Sequence, residues 1–281
     1  MAIPAISIAA YSLDPAALRR ELARGVAVDL EDPDGMTALQ LVCGRGPRYQ
    51  NQEDRIACVE MLLEHGAAPN AGLPHNPGHL GLYHSKTPLM YAAHIPCPRT
   101  VQMLIAAGSD VNGYLPERQY PVLGHLSPLL NAVRASFRFD EANGLDVVNL
   151  LLKAGADPNP PEHCGRTLME EAIEMALHGF WADRFTDRRR VAARPAERRL
   201  WPVLLRAGAI LPTRLPWASP QYQMKLSDHY LLRVENAGGF KAYERAHREK
   251  VLATFTPKFA HLVPEELVPL IVEYVFHFGF Y

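Results

Sequence analysis

The chain of 281 residues predicts an all-α solenoid of short helical hairpins with lengthened loops and a C-terminal helical cap. Two alternating signals along residues 12–212 carry that prediction. Five short apolar segments each end on a glycine, and four hydroxyl residues each open a further helix. A chain of this kind buries its core by stacking neighbours rather than by closing on itself.

The glycine-ended segments are LRRELARG at 18–25, VEMLLEHG at 59–66, VQMLIAAG at 101–108, VNLLLKAG at 148–155 and WPVLLRAG at 201–208. Each places large aliphatic side chains in the last helical turn. The position that follows calls for a left-handed backbone, supplied by Gly25, Gly66, Gly108, Gly155 and Gly208. The helix starts are Thr37-Ala38-Leu39, Thr87-Pro88-Leu89, Ser127-Pro128-Leu129 and Thr167-Leu168-Met169. A Ser or Thr N-cap followed by Pro at the first helical position satisfies the orphan N–H groups and presets φ. Gly35 and Gly165 stand two residues ahead of the first and last of these hydroxyls, where a tight turn is expected.

These marks resemble the ankyrin-repeat family, whose signature is T-P-L-H-x-A on a 33-residue period. The nearest stretch runs Thr87-Pro88-Leu89-Met90-Tyr91-Ala92-Ala93-His94 and closes with residues 101–112, VQMLIAAGSDVN. Gly66 to Asn70 and Gly155 to Asn159 repeat the family's G-A-D-x-N ending. The resemblance covers about residues 12–212. It implies a partial repeat over 12–25, followed by about four repeats with insertions.

The hydroxyl-to-glycine distances are 29, 21, 28 and 41 residues, and the glycine-to-hydroxyl distances are 12, 21, 19 and 12. Against the least interrupted repeat, inserts of about 8, 7 and 20 residues fall between the paired helices of the first, third and fourth full repeats. Others of about 9 and 7 residues lengthen the hairpin fingers entering the second and third repeats. Lengthened loops lie on the surface and commonly carry function. The family's motif histidine is absent, with Gln40, Met90, Leu130 and Glu170 in its place. In the family that histidine ties neighbouring repeats by hydrogen bonds, so its loss bears on loop geometry and repeat stability.

Beyond residue 212, Pro212, Pro216 and Pro220 mark a linker. Residues 222–232 and 240–252 read as two helices around Gly238-Gly239, so 213–256 is expected to be a linker and helical cap. Residues 257–281 read as an amphipathic helix opening at Pro264-Glu265-Glu266, with Leu267, Ile271, Tyr274 and Phe278 on one apolar face. Leu262 to Leu267 is similar to the opening L-P-x-E-[IL] of an F-box, cut short after about one helix. The face then either packs as part of the cap or docks an adaptor of a cullin ubiquitin ligase.

Composition narrows the function. Hydrophobic residues make up 48% and charged residues 21%, as in a folded globular chain. A net charge of −1 gives no field favouring nucleic acid or an anionic membrane. No run approaches the roughly 18 apolar residues of a membrane span. Met1 to Tyr11 lacks the basic start of a signal peptide. Four scattered cysteines argue for a reducing compartment, cytoplasmic or nuclear. No phosphate loop, dinucleotide fingerprint, zinc-protease motif or nucleophile elbow occurs, so neither enzyme nor cofactor is expected. His75, His79 and His84 match no zinc spacing and read as part of a solvated or partner-facing finger. The arginine-rich segment 184–206 reads either as a solvated face or as a contact for an acidic peptide, phosphate or nucleic acid.

The expectation is therefore a non-enzymatic scaffold, acting as a monomer, that binds a protein partner of unknown identity. Binding would use the fingers around 71–86 and 113–126 and the concave face. Leu82, Tyr83, Tyr114 and Tyr120 are the expected finger-tip contacts, since aromatics dominate interface hot spots. The alternative makes the repeats a substrate receptor of a cullin-type ligase, with the C-terminal helix docking the adaptor.

Overall fold

The computed structural model describes residues 3–44, 52–72, 86–113, 127–138, 141–160, 167–178, 199–212, 229–259, 262–264 and 266–271. The chain divides into two compact units, Met1–Leu168 and Met169–Tyr281. Among the described residues the regular structure is helical throughout.

In the first unit, α1 (Ala5–Tyr11), α3 (Ala38–Gly44), α5 (Pro88–His94) and α7 (Pro128–Arg138) form one layer, each packed on the next. A second layer is made by α2 (Pro15–Ala23), α4 (Gln52–Glu64), α6 (Pro98–Ala106) and α8 (Glu141–Lys153). Leu39, Leu62, Leu89, Leu104, Leu129 and Leu151 are fully buried. Burying each such side chain stabilises by about 1.5–3 kcal/mol.

The caps follow from the sequence. Thr87 Oγ1 accepts from the Met90 N–H at 3.2 Å, and Ser127 Oγ from the Leu130 N–H at 3.1 Å. At the other ends the glycines close the same paired bond each time. The Gly108 and Ser109 N–H groups donate to the Ile105 and Leu104 carbonyls, and those of Gly155 and Ala156 donate to Leu152 and Leu151. The glycine φ angles, +78° at Gly25 and +87° at Gly108, are the left-handed values this closure needs.

The first hairpin is fuller than a partial repeat over 12–25. Helix α1 precedes it and buries Ile6, Ala9 and Ala10 against its neighbours, at the i, i+3, i+4 spacing of one helical face. No cap residue or glycine announces α1, because its N-cap is Pro4. Asp14 starts α2 by accepting from the Ala16 and Ala17 N–H groups at 3.0 and 2.9 Å.

The insert expected between the helices of the third full repeat is taken up by the helices themselves. Helices α7 and α8 have 11 and 13 residues, where α5 and α6 have 7 and 9. Gly144 lets these longer helices approach, since a Cβ there would lie 2.5 Å from the Ser136 Cα. In the first full repeat α4 is likewise 13 residues long, and 45–51 lies outside the described residues.

In the second unit, α9 (Leu168–His178) and α10 (Leu200–Arg206) fall on the segment expected to be the fourth full repeat. Trp201 is fully buried, and its Nε1–H donates to the Ala172 carbonyl at 3.5 Å. Helices α11 (His229–Asn236) and α12 (Phe240–Phe259) pack together, and α12 packs on α10. Arg206 fixes that contact by donating to Glu244 at 3.0 and 2.8 Å and lying over the Phe240 ring. Helix α12 runs past both the expected end at 252 and the expected boundary at 256/257. It carries Pro257 near its last turn.

Candidate functional site

In the first unit the finger bases are locked from repeat to repeat. The Ala68 N–H donates to both carboxylate oxygens of Asp29, at 3.0 and 3.2 Å. Asn70 Nδ2 donates to the Gly108 carbonyl at 3.1 Å, and its Oδ1 accepts from the Asp110 N–H at 2.8 Å. Asn112 does the same one repeat later, to the Gly155 carbonyl at 3.0 Å and the Asp157 N–H at 2.7 Å. The turns themselves are capped by Asp110 and Asp157, which accept from the Asn112 and Asn159 N–H groups. Asn70 and Asn112 are thus inter-repeat ties.

Gln40 supplies a further tie where the family histidine is missing. It is fully buried; its Oε1 accepts from the Thr37 N–H at 2.8 Å, and its Nε2 donates to the Lys86 carbonyl at 3.0 Å. Glutamine carries a donor and an acceptor on one planar group, so it can span the two repeats as an imidazole can.

The surface of α3, α5 and α7 is sparse in solvent-reaching groups. Of the described side chains of α3, α5 and α7, only His94, Arg134 and Phe137 are half-buried; the rest are buried, save the glycine that ends α3. Lys86, just ahead of α5, is also half-buried, with Nζ 5.8 Å from the Tyr91 ring centroid. Burial and then the Arg134 charge pull its pKa down to about 8.

A group that sequence reasoning missed lies beneath this layer. Arg55 of α4 is buried and donates to the Val42 carbonyl in the last turn of α3. Burial lowers its pKa, opposed by Cys43, Cys97 and Cys58. Burial pushes the Cys43 thiol up to about 12 and the Cys58 thiol to about 11, which leaves both protonated and unreactive at neutral pH. Its only sequence signal is a basic residue at a position where the α4 pattern faces inward.

The expected finger contacts Leu82, Tyr83, Tyr114 and Tyr120 lie outside the described residues, as do His75, His79 and His84. So do Tyr274, Phe278 and the arginines of 184–198. Among the described residues no cluster of His, Cys, Asp and Glu could hold a metal, and no helix is long and apolar enough to cross a membrane. In the second unit, residues 267–271 are helical and Val268 is 1% exposed, while Leu267 is 44% exposed and Ile271 half-buried. The inward position is therefore Val268, one residue from the expected Leu267–Ile271 face. Leu262 and Leu270 are 65% and 59% exposed.

The family model for ankyrin repeats, in three copies, matches residues 6–114. The chain carries ankyrin repeats. The span starts inside α1, so the first hairpin counts as a repeat element. The ankyrin-repeat chain is also similar to an E3 ubiquitin-protein ligase, KEG, of Arabidopsis thaliana. The two are 29% identical over 146 residues, which is 52% of this chain and 7% of that protein. The chain thus matches only a small part of that relative's length. Ankyrin repeats make this an interaction module for proteins.

Proposed function

We propose that the chain is a non-enzymatic scaffold that docks a protein partner across the fingers at 71–86 and 113–126 and the first-helix face. The observation that carries this reading is the row of inter-repeat ties at Asp29, Asn70 and Asn112. The two lengthened fingers leave within three residues of Asn70 and Asn112 and return at Lys86 and Ser127. A binding surface built on locked bases loses less entropy on docking. Leu82, Tyr83, Tyr114 and Tyr120 are its finger contacts, and the buried free thiols of Cys43, Cys58 and Cys97 suit a cytoplasmic or nuclear setting. The test is affinity capture from native lysate with the full chain and with a chain carrying all four finger residues as alanine. The reading expects captured proteins to be lost from the variant while its melting is unchanged; an identical set of captured proteins overturns it.

A second reading, a cullin-ligase substrate receptor, draws support from the exposed Leu262, Leu267 and Leu270 beside Val268. The similarity to a ubiquitin ligase adds ligase context only. Since α12 runs through residue 259, the informative truncation ends at residue 261 and leaves that helix whole. Loss of a cullin adaptor from the truncated chain alone supports this reading, and its absence from both captures removes it.

A further inference from the structure

We propose that the chain forms a weak two-fold dimer through the outer stripe of α1, with Ile8 set against Ile8 of the second copy and Ala5 against its Tyr11. This goes beyond the docking of a partner protein and stands in place of the monomer expected from sequence.

The four first-layer helices align on their buried pairs Ala9-Ala10, Val42-Cys43, Ala92-Ala93 and Ala132-Val133. In that alignment Ile8 matches Leu41, Tyr91 and Asn131. Those three are buried, whereas Ile8 is 53% exposed. One turn earlier, Ala5 is exposed where Ala38, Pro88 and Pro128 are buried. One turn later, Tyr11 is 54% exposed where Gly44, His94 and Arg134 are half-buried. All three positions have lost their cover in α1. At Tyr91 that cover is the preceding helix, since the Tyr91 ring fills the space over Gly44 of α3. Helix α1 packs on α2 and α3, both of which follow it in the chain. The side of α1 on which a preceding helix would lie is therefore an open continuation of the layer's own helix packing.

The stripe is complementary to itself. Positions 5, 8 and 11 succeed one another at i, i+3 along one helix face. A two-fold axis through Ile8 sets two copies of α1 antiparallel. Ile8 then meets its equivalent, and the small Ala5 faces the large Tyr11 on either side. Such an interface is isologous, with each off-axis contact made twice. Residues 3–13 contain no charged side chain, so the pairing brings no like charges together. A charged partner surface would be desolvated there with no counter-charge from α1. Ile3, also exposed, widens the apolar area. A few side chains from one short helix fall short of the roughly 1,200–2,000 Å² of a stable interface, so the dimer is weak and depends on concentration.

Sedimentation velocity of the full chain tests this. From about 1 to 200 μM the chain should pass from monomer towards dimer, with a Kd on the order of 50 μM. Ile8→Glu and Ile8→Lys should each weaken dimerisation by about tenfold or more. An equimolar mixture of these two variants should recover the dimer, because the axis brings position 8 against position 8. Tyr11→Ser should weaken it as well. Leu270→Glu, at an exposed apolar residue of the second unit, should leave it unchanged. Circular dichroism and melting check that each variant folds, as expected for exposed positions. A chain that stays monomeric through 200 μM overturns the proposal. So does a dimer indifferent to Ile8→Glu, a dimer lost on Leu270→Glu, or a mixture of the folded Ile8 variants that remains monomeric.

Discussion

The stacked hairpins of Met1–Leu168 and the helices α11 and α12 of the second unit are held by different means. The hairpins repeat one set of devices: a hydroxyl cap, a paired bond at the C-terminal glycine, and a side chain reaching into the next repeat. Helices α11 and α12 share the paired glycine bond, at Gly238 and Gly239, but their packing is particular. Tyr230 meets Tyr243 edge-on with centroids 5.6 Å apart, and Tyr243 stacks on His247 at 5.7 Å. A period allows one local solution to be written several times and read from sequence. A single aromatic seam is written once.

The sharpest way to break the hairpins is Arg55→Ala. It removes the donor to the Val42 carbonyl and leaves a cavity among buried cysteines, for an expected loss of about 2–4 kcal/mol in urea denaturation. Gly144→Ala should cost about 1–3 kcal/mol, because the new methyl group meets the Ser136 backbone. In an open helix the same change stabilises by about 0.5–1 kcal/mol, so the sign alone tests the α7–α8 approach. Asn112→Ala removes two inter-repeat bonds and should cost about 1–2 kcal/mol, with faster amide exchange at Asp157.

Lys86→Met should raise the melting temperature slightly at pH 7. The folded pKa of about 8 lies below the unfolded value of about 10.4, so the folded chain binds fewer protons between them. Stability from this group therefore rises with pH across that window. The advantage of Lys86→Met should shrink through it and vanish near pH 11. The smallest effect is expected at the exposed Leu270, where Leu270→Glu should change stability by no more than about 0.5 kcal/mol.

What could be read from sequence follows the same division. The glycine ends and the Thr87 and Ser127 caps are each set by local chemistry, and each appears as the residues imply. Helix α1 was not legible, because Pro4 and a charge-free segment carry neither of the two marks that identify the other hairpins. Residue counting located the extra length of the third full repeat but could not say that helices would absorb it. That outcome depends on Gly144 allowing close approach. Gln40 was legible as a departure from the family motif, yet its bond to Lys86 joins residues 46 apart and exists only once the repeats stack. At 267–271 two adjacent apolar residues, Leu267 and Val268, compete for the inward place, and Val268 takes it.

The most direct test of the docking account is hydroxyl-radical footprinting of the full chain, alone and saturated with a captured partner. Loss of modification at His94 and Phe137, with Phe255 unchanged, is the result the account predicts. Protection confined to the second-helix layer or to residues 251–271, with His94 and Phe137 still reactive, would contradict it.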